Sequence, residues 1–407
     1  VEAVENILHN FSSNTEILAD CPDEINRLAR DIAGPRCKKA MARNLFMYKR
    51  YELNHGPPLY KSTKYIISSA KDHSASPTKD GDKAQEYPVV ALKFIKDRLA
   101  FLHEVETREV GGLDSNYVLP IFTYFDGNTH NPLERSFRRD AILKGFEDYP
   151  HCIVMELANM NMLQAMERLT PVEGLRHLVD QDENDDKYAA IRFAMKQVLS
   201  CVAHCHEKKF IHGDIQALNI LLVGKDFKLS NLEHSANFAR TEKAGRRLST
   251  VYATREVLGE KAKSASGNLP PEMMWKDVIG NARVRISTDS NSEGCLIPAH
   301  PSQDMWAVGC LFYLLCTGHT LFHLNTEGLM VSQDSMRSVL QWTLATKSLK
   351  FEAVHHHYAR DLLSLLLHKA PLSRMTAEQA LLHPFITGFP LTRHVDHTIQ
   401  YDVYILY

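Results

Sequence analysis

The sequence predicts an α+β fold, with strands gathered in the first part of the chain and helices dominating the last. Three observations carry this expectation. Apolar, β-branched runs occur at Tyr65-Ile66-Ile67, Val89-Val90-Ala91-Leu92-Lys93-Phe94-Ile95 and His151-Cys152-Ile153-Val154-Met155-Glu156-Leu157. Beyond residue 300 the apolar residues space themselves as in helices. At 407 residues, 44% hydrophobic and 24% charged, the chain is long enough for two cores plus extensions.

The elements follow in order. Residues 1 to about 50 read as short helices, because Ile7, Leu8, Phe11, Ile17, Leu18, Ile25 and Leu28 recur at three-to-four spacing. Residues 61–70 carry strand character, and the polar, turn-rich residues 71–87 read as a flexible loop. A second loop is expected over roughly 126–149, where charges of both signs mix. The acidic stretch from Asp180 to Asp186 reads as a solvated helix start, favoured by the helix dipole. In the helix after it Ile191, Ala194, Met195, Val198, Val202 and Cys205 share one face. Ile220-Leu221-Leu222-Val223, the turn Gly224-Lys225-Asp226 and Phe227-Lys228-Leu229 predict a β-hairpin. Residues 277–302 are polar and read as an insertion loop.

Composition narrows the function classes. A formal net charge of −2 disfavours nucleic-acid or membrane surfaces built on bulk charge. No run of 18 apolar residues predicts a membrane span. The eight cysteines form no Cys-x-x-Cys pair, so zinc-ribbon spacing is absent, and a reduced, cytoplasmic setting is expected. Cys201, His204, Cys205 and His206 could be read as ligands, but they fall at a helix end where Cys201 and Cys205 are simply i and i+4. The run His355-His356-His357 reads as a solvated loop or helix start. The start at Val1 lacks a signal-peptide pattern and an initiator Met.

Several chemistry-bearing features line up in one order. A strand lysine sits in Val90-Ala91-Leu92-Lys93; a loop reads His212-Gly213-Asp214-Ile215-Gln216-Ala217-Leu218-Asn219; Pro270-Pro271-Glu272 follows. Then Asp304-Met305-Trp306-Ala307-Val308-Gly309 opens an apolar helix, and Arg374 comes near the end. This ordered set resembles the protein kinase family over about residues 56–388. Small-molecule kinases of the aminoglycoside phosphotransferase type share the His-Gly-Asp loop, but lack the three later features. The loop is similar to that of a group of oomycete and protist kinases that reads His-Gly-Asp, with an Asp-Leu-Asp metal triplet.

The resemblance implies a bilobal fold: a helical N-terminal extension over 1–55, a small β-rich lobe over 56–158, a larger helical lobe over 159–389 and a tail over 390–407. It implies ATP and Mg²⁺ as cofactors, and a protein Ser/Thr substrate or a regulatory protein as partner. Lys93 would hold the nucleotide phosphates, with Glu104 as its acid and Glu106 in reserve. Asp214 would accept the substrate hydroxyl proton, and Asn219 would ligate metal. Met155 would guard the adenine pocket, with Glu156 and Leu157 in the segment that bonds adenine. Glu272 with Arg374 would form a buried structural pair, and Asp304 would anchor the catalytic loop.

The chain departs from the family pattern in places that bear on catalysis. The metal triplet reads Asn231-Leu232-Glu233, so a neutral amide replaces the aspartate, and Mg²⁺ prefers hard anionic oxygen. Gln216 stands where the family has a lysine that neutralises the transferred phosphate. No Gly-x-Gly-x-x-Gly precedes Lys93. Gly213 replaces the arginine that receives an activation-loop phosphate, although Ser249 and Thr250 remain modifiable residues. Two expectations result: an impaired Ser/Thr kinase, or a pseudokinase acting as a scaffold or binding module.

Overall fold

The computed structural model describes residues 46–74, 87–128, 132–167, 188–239, 265–276, 282–284 and 299–388, apart from positions 49, 55, 267, 326, 327 and 331. The chain divides into two compact units: residues 1–159 with 231–233, and residues 160–230 with 234–407. The helices expected before residue 46, the acidic stretch at 180–186, and Ser249 with Thr250 lie outside the described residues.

The first unit is built on an antiparallel sheet. Its strands are β1 (Phe46–Met47), β2 (Tyr51–Leu53), β3 (Tyr60–Lys61), β4 (Tyr65–Asp72), β5 (Val89–Ile95), β6 (Ile121–Phe125) and β7 (His151–Glu156). They pair in the order β1-β2-β4-β5-β7-β6, with β3 added to β4. Positions 46–47 and 51–53 are therefore strands, where a helical extension to residue 55 was expected. Met47 and Tyr51 decide this locally, since both are fully buried in the sheet core. Residues 71 and 72, expected in a loop, complete β4 instead, because the β2 register runs on through Asp72.

Side chains alternate across β5. Val90, Leu92 and Phe94 join the core cluster, which leaves Lys93 on the opposite face of the strand. Helix α1 (Arg98–Gly111) follows β5, and its first turn is capped by the Asp97 side chain, which accepts from the Ala100 amide.

The loop expected over 126–149 contains helix α2 (Pro132–Leu143). Arg135, Arg138 and Arg139 are exposed, while Phe137 and Ala141, one helical turn apart, are buried in the sheet core. Phe137 stacks on Phe125 with ring centroids 4.1 Å apart. Asp140 Oδ2 accepts the Tyr48 amide at 2.8 Å, tying the helix to the turn after β1.

The second unit is mainly helical. Strand β8 (Met160–Asn161) leads into α3 (Met162–Glu167), and α4 (Ala189–Glu207) buries the predicted face of Ile191, Ala194, Met195, Val198, Val202 and Cys205. Strand β9 (Phe210–Ile211) precedes the predicted hairpin, β10 (Ile220–Val223) with β11 (Asp226–Leu229), and β12 (Ala236–Asn237) returns to β9. Helix α5 (Pro301–Thr317) is buried nearly all round, with Trp306 fully enclosed.

Within the expected insertion loop 277–302, Ala282–Val284 is a strand paired with Met274–Lys276, and Pro301 and Ser302 open α5. Pro at the first helical position, after the His300 cap, accounts for that start. Among the described residues the remaining α-helices are α6 (Gln333–Leu340), α7 (Leu344–Phe351), α8 (His357–Leu366), α9 (Ala377–Leu381) and α10 (Pro384–Thr387). In the histidine run, His356 caps α8 by accepting from the Ala359 amide, and its ring packs edge-on to Phe385.

Candidate active site

In the first unit three site residues from distant positions meet at Lys93. Its Nζ donates to Glu104 Oε2 at 2.6 Å and to Asn231 Oδ1 at 2.8 Å. Lys93 is 3% exposed and Glu104 1%. Glu106, the reserve choice, lies on the exposed side of α1. Burial alone would raise the Glu104 carboxyl, but the charges of Lys93 and Arg108 outweigh it and hold that group below the ordinary carboxylate range.

Three residues that sequence reasoning gave no site role, Arg108, Tyr65 and Lys64, complete this cluster. Arg108, one turn after Glu104, donates to its Oε1 at 3.1 Å. The Tyr65 ring lies 4.5 Å from the Lys93 ammonium, a cation–π contact. Lys64, in the turn between β3 and β4, pairs with Glu233 Oε1 at 3.5 Å. The i, i+4 spacing could have flagged Arg108; the other contacts depend on chain closure that no local pattern encodes. The turn at 62–64 joins β3 to β4 ahead of the lysine strand, and it contains no glycine.

Asn231 holds φ of 60°, a left-handed conformation that asparagine adopts more readily than most residues. Met155 is buried in β7, opposite Ala91 of β5. Glu156 ends that strand half-buried, with its amide on the Pro120 carbonyl, and Leu157 follows, also half-buried.

In the second unit the other site residues converge on Asp214. Asn219 Nδ2 donates to the Asp214 carboxylate at 2.8 Å and to its carbonyl at 2.9 Å. Gln216 Nε2 donates to the same carboxylate oxygen at 3.0 Å. Gln216 therefore orients the acid by hydrogen bonding but brings no positive charge. His234 Nε2 stands 3.8 Å from that oxygen, a neighbour that no motif announced. Asp214 is 6% exposed.

The loop is held from behind by Asp304. Its carboxylate accepts the His212 amide at 2.8 Å, the Gly213 amide at 2.9 Å and His206 Nε2 at 2.9 Å. Burial raises the Asp304 carboxyl, but the His206 bond and neighbouring donors outweigh that and hold it low. The His212 ring spans the loop, with Nε2 on the Ser230 carbonyl at 2.8 Å and Nδ1 accepting the Asp214 amide at 3.2 Å. That pair of bonds selects the tautomer with its proton on Nε2.

Gly213 has φ of 78°, and a Cβ there would run into the His234 carbonyl. The position that departs from the family arginine is thus one only glycine fits. Cys201 and His206 take separate partners, the Phe227 carbonyl and Asp304. Among the described residues no group of three or more His, Cys, Asp or Glu could hold a metal ion.

The two positions that the resemblance assigns to Mg²⁺ fit that ion poorly. Asn219 and Asn231 are neutral amides, the Asn231 oxygen already accepts from Lys93, and Glu233 is paired with Lys64.

Comparison with known proteins agrees with this geometry. A family model described as protein kinase domain matches residues 141–269 and 297–386. The chain is 27% identical over 204 residues to serine/threonine-protein kinase RAD53 of Saccharomyces cerevisiae, covering 48% of this chain and 21% of that protein. It is 25% identical over 256 residues to the phosphorylase b kinase gamma catalytic chain, liver/testis isoform, of Bos taurus, covering 62% of this chain and 54% of that one. It thus spans from about a fifth to about half of the length of such relatives. The autoinhibited serine kinase domain of the giant muscle protein titin has the same fold, with a TM-score of 0.51 and 16% identity over 84% of this chain and 81% of that one.

Proposed function

Because this chain belongs to the protein kinase domain family, with serine/threonine kinases among its relatives, we propose that it transfers phosphate from ATP to protein Ser or Thr hydroxyls at low turnover. The observation that carries this reading is the intact pair of acid–base anchors. Lys93 and Glu104 are engaged at 2.6 Å, and Asp214 is held by Asn219 and Gln216. Asp214 accepts the hydroxyl proton from the substrate, while Asn219 and Gln216 fix the carboxylate that receives it. Lys93 supplies the cation for the nucleotide phosphates, and Glu104 keeps that cation in place.

Turnover is low for two reasons. Gln216 offers a neutral donor where transition-state charge needs a cation, and removing one such stabilising contact typically slows transfer by about a hundredfold or more. The poor fit of Asn219 and Asn231 to Mg²⁺ removes further charge stabilisation. Met155, Glu156 and Leu157 belong to this reading as the adenine-side residues. A reducing, cytoplasmic location belongs to this reading too, since the thiols of Cys152, Cys201 and Cys310 are buried.

A second reading, a pseudokinase that binds partners without turnover, is favoured by the amide at Asn231 already occupying Lys93. Phosphate transfer to serine peptides, compared among wild type, Asp214→Ala and Asn231→Asp/Gln216→Lys, separates the two. Wild-type transfer that Asp214→Ala abolishes supports the first reading. Transfer only in the double variant supports the second.

A further inference from the structure

The Lys93 cluster carries an unusual charge balance. Among the described residues three cations, Lys64, Lys93 and Arg108, pair with two carboxylates, Glu104 and Glu233. The groups form one electrostatic unit, since Glu233 pushes the Glu104 carboxyl upward while Lys93 and Arg108 pull it down. An aspartate at position 231 would cancel the surplus positive charge and create an attraction for a divalent cation. Asn231 does neither.

The amide also differs from a carboxylate in what it can offer a phosphate. An asparagine side chain presents an acceptor and two donors, whereas an ionised aspartate only accepts. Asn231 accepts from Lys93 here. Rotated about its last torsion, the same side chain turns an N–H toward an anion, so a phosphate oxygen can take over the Lys93 ammonium without meeting a like charge. Lys64 adds a more accessible cation at the turn, its side chain 37% exposed and its pairing with Glu233 at 3.5 Å longer than the Lys93 pairing.

We propose that Lys64, Lys93 and Asn231 bind the phosphates of a nucleoside di- or triphosphate without a divalent cation. The inference rests on the reading of the chain as a nucleotide-using member of its family, and adds that the protein's own charges replace the metal in binding.

The test is nucleotide affinity of the full chain by calorimetry, with thermal shift as a second readout, using ATP in excess EDTA, ATP in excess Mg²⁺, and tripolyphosphate in EDTA. ATP in EDTA is expected to bind at least as tightly as ATP with Mg²⁺. Asn231→Asp, nearly isosteric, is expected to weaken binding in EDTA by about tenfold or more and to restore a gain from Mg²⁺. Lys64→Ala is expected to weaken binding in EDTA by several-fold.

The inference is overturned if ATP binds only with Mg²⁺, if Asn231→Asp leaves the metal dependence unchanged, or if neither probe binds in EDTA. Tripolyphosphate binding as tightly as ATP overturns the assignment of a nucleotide. Phosphate transfer is scored separately. Transfer with Mg²⁺ but no binding in EDTA sinks this inference and leaves the proposed activity standing, whereas binding in EDTA with no transfer does the reverse.

Discussion

Replacing Arg374 by methionine removes a group with five polar bonds in the second unit. The guanidinium meets Glu272 through two parallel bonds of 2.7 Å each, and also donates to the carbonyls of Ser302 at 3.0 Å, His368 at 2.8 Å and Lys369 at 3.2 Å. It lies 5.0 Å from the Trp306 ring centroid, and its side chain is 0% exposed. Methionine fills much of the volume but leaves Glu272 and three carbonyls without this donor. Breaking a buried pair by removing one partner costs about 3–5 kcal/mol. Glu272 keeps 18% exposure, so water can partly compensate and the lower end, about 3 kcal/mol, applies. For a domain of this size that corresponds to a fall in melting temperature of roughly 6–12 °C. Urea unfolding followed by tryptophan fluorescence reads it directly, since Trp306 and Trp342 sit in the same unit. Arg374→Lys should lose nearly as much, because an ammonium cannot reproduce the fork. A fall of less than about 2 °C in the methionine variant, or a lysine variant as stable as wild type, would refute the reasoning.

Other outcomes follow from the same geometry. Gly213→Ala places a Cβ against the His234 carbonyl at a φ of 78°, so it should destabilise by about 2 kcal/mol or more. Gly224→Ala, at φ of 64° with open space around it, should cost only about 1 kcal/mol; equal losses in urea titrations would show that the contact with His234 does not matter. Burial raises the Asp72 carboxyl, but hydrogen bonds from Arg50 and Ser74 outweigh it and lower the group to about 2. A folded-state value below the unfolded one means Asp72 stabilises above about pH 4 and loses that contribution as pH falls toward 2. The stability gap between wild type and Asp72→Asn should therefore narrow over that window, and a gap that widens on acidification would contradict the assignment.

What could be read in the sequence divides along physical lines. Lys93, Asp214, Asn219, Glu272, Asp304 and Arg374 were legible through the resemblance, because each sits in a short run that matches the order of the family's motifs. The buried face of α4 was legible from its period alone. Helix α2 was not, because its charges dominate the composition of 132–143 and only Phe137 and Ala141 among its described residues are buried. Strands β1 and β2 were missed because two- and three-residue strands are too short to show alternation. Glu104 was preferred to Glu106 from the sequence and is the one that meets Lys93, whereas the Tyr65–Lys93 and Lys64–Glu233 contacts needed the closed chain. The functional departures, Asn231 and Gln216, were visible as letters, whereas their bonds to Lys93 and Asp214 were not.

On the proposed function, Asp214 serves a phosphate-transfer reaction slowed by Gln216 and Asn231. Radiolabelled phosphate transfer from ATP to a serine peptide library, with wild type, Asp214→Ala and Asn231→Asp/Gln216→Lys side by side, tests it most directly. Slow wild-type transfer, abolished by Asp214→Ala and raised about a hundredfold in the double variant, is the predicted result. Wild-type transfer that survives Asp214→Ala, or a double variant no faster than wild type, would contradict it.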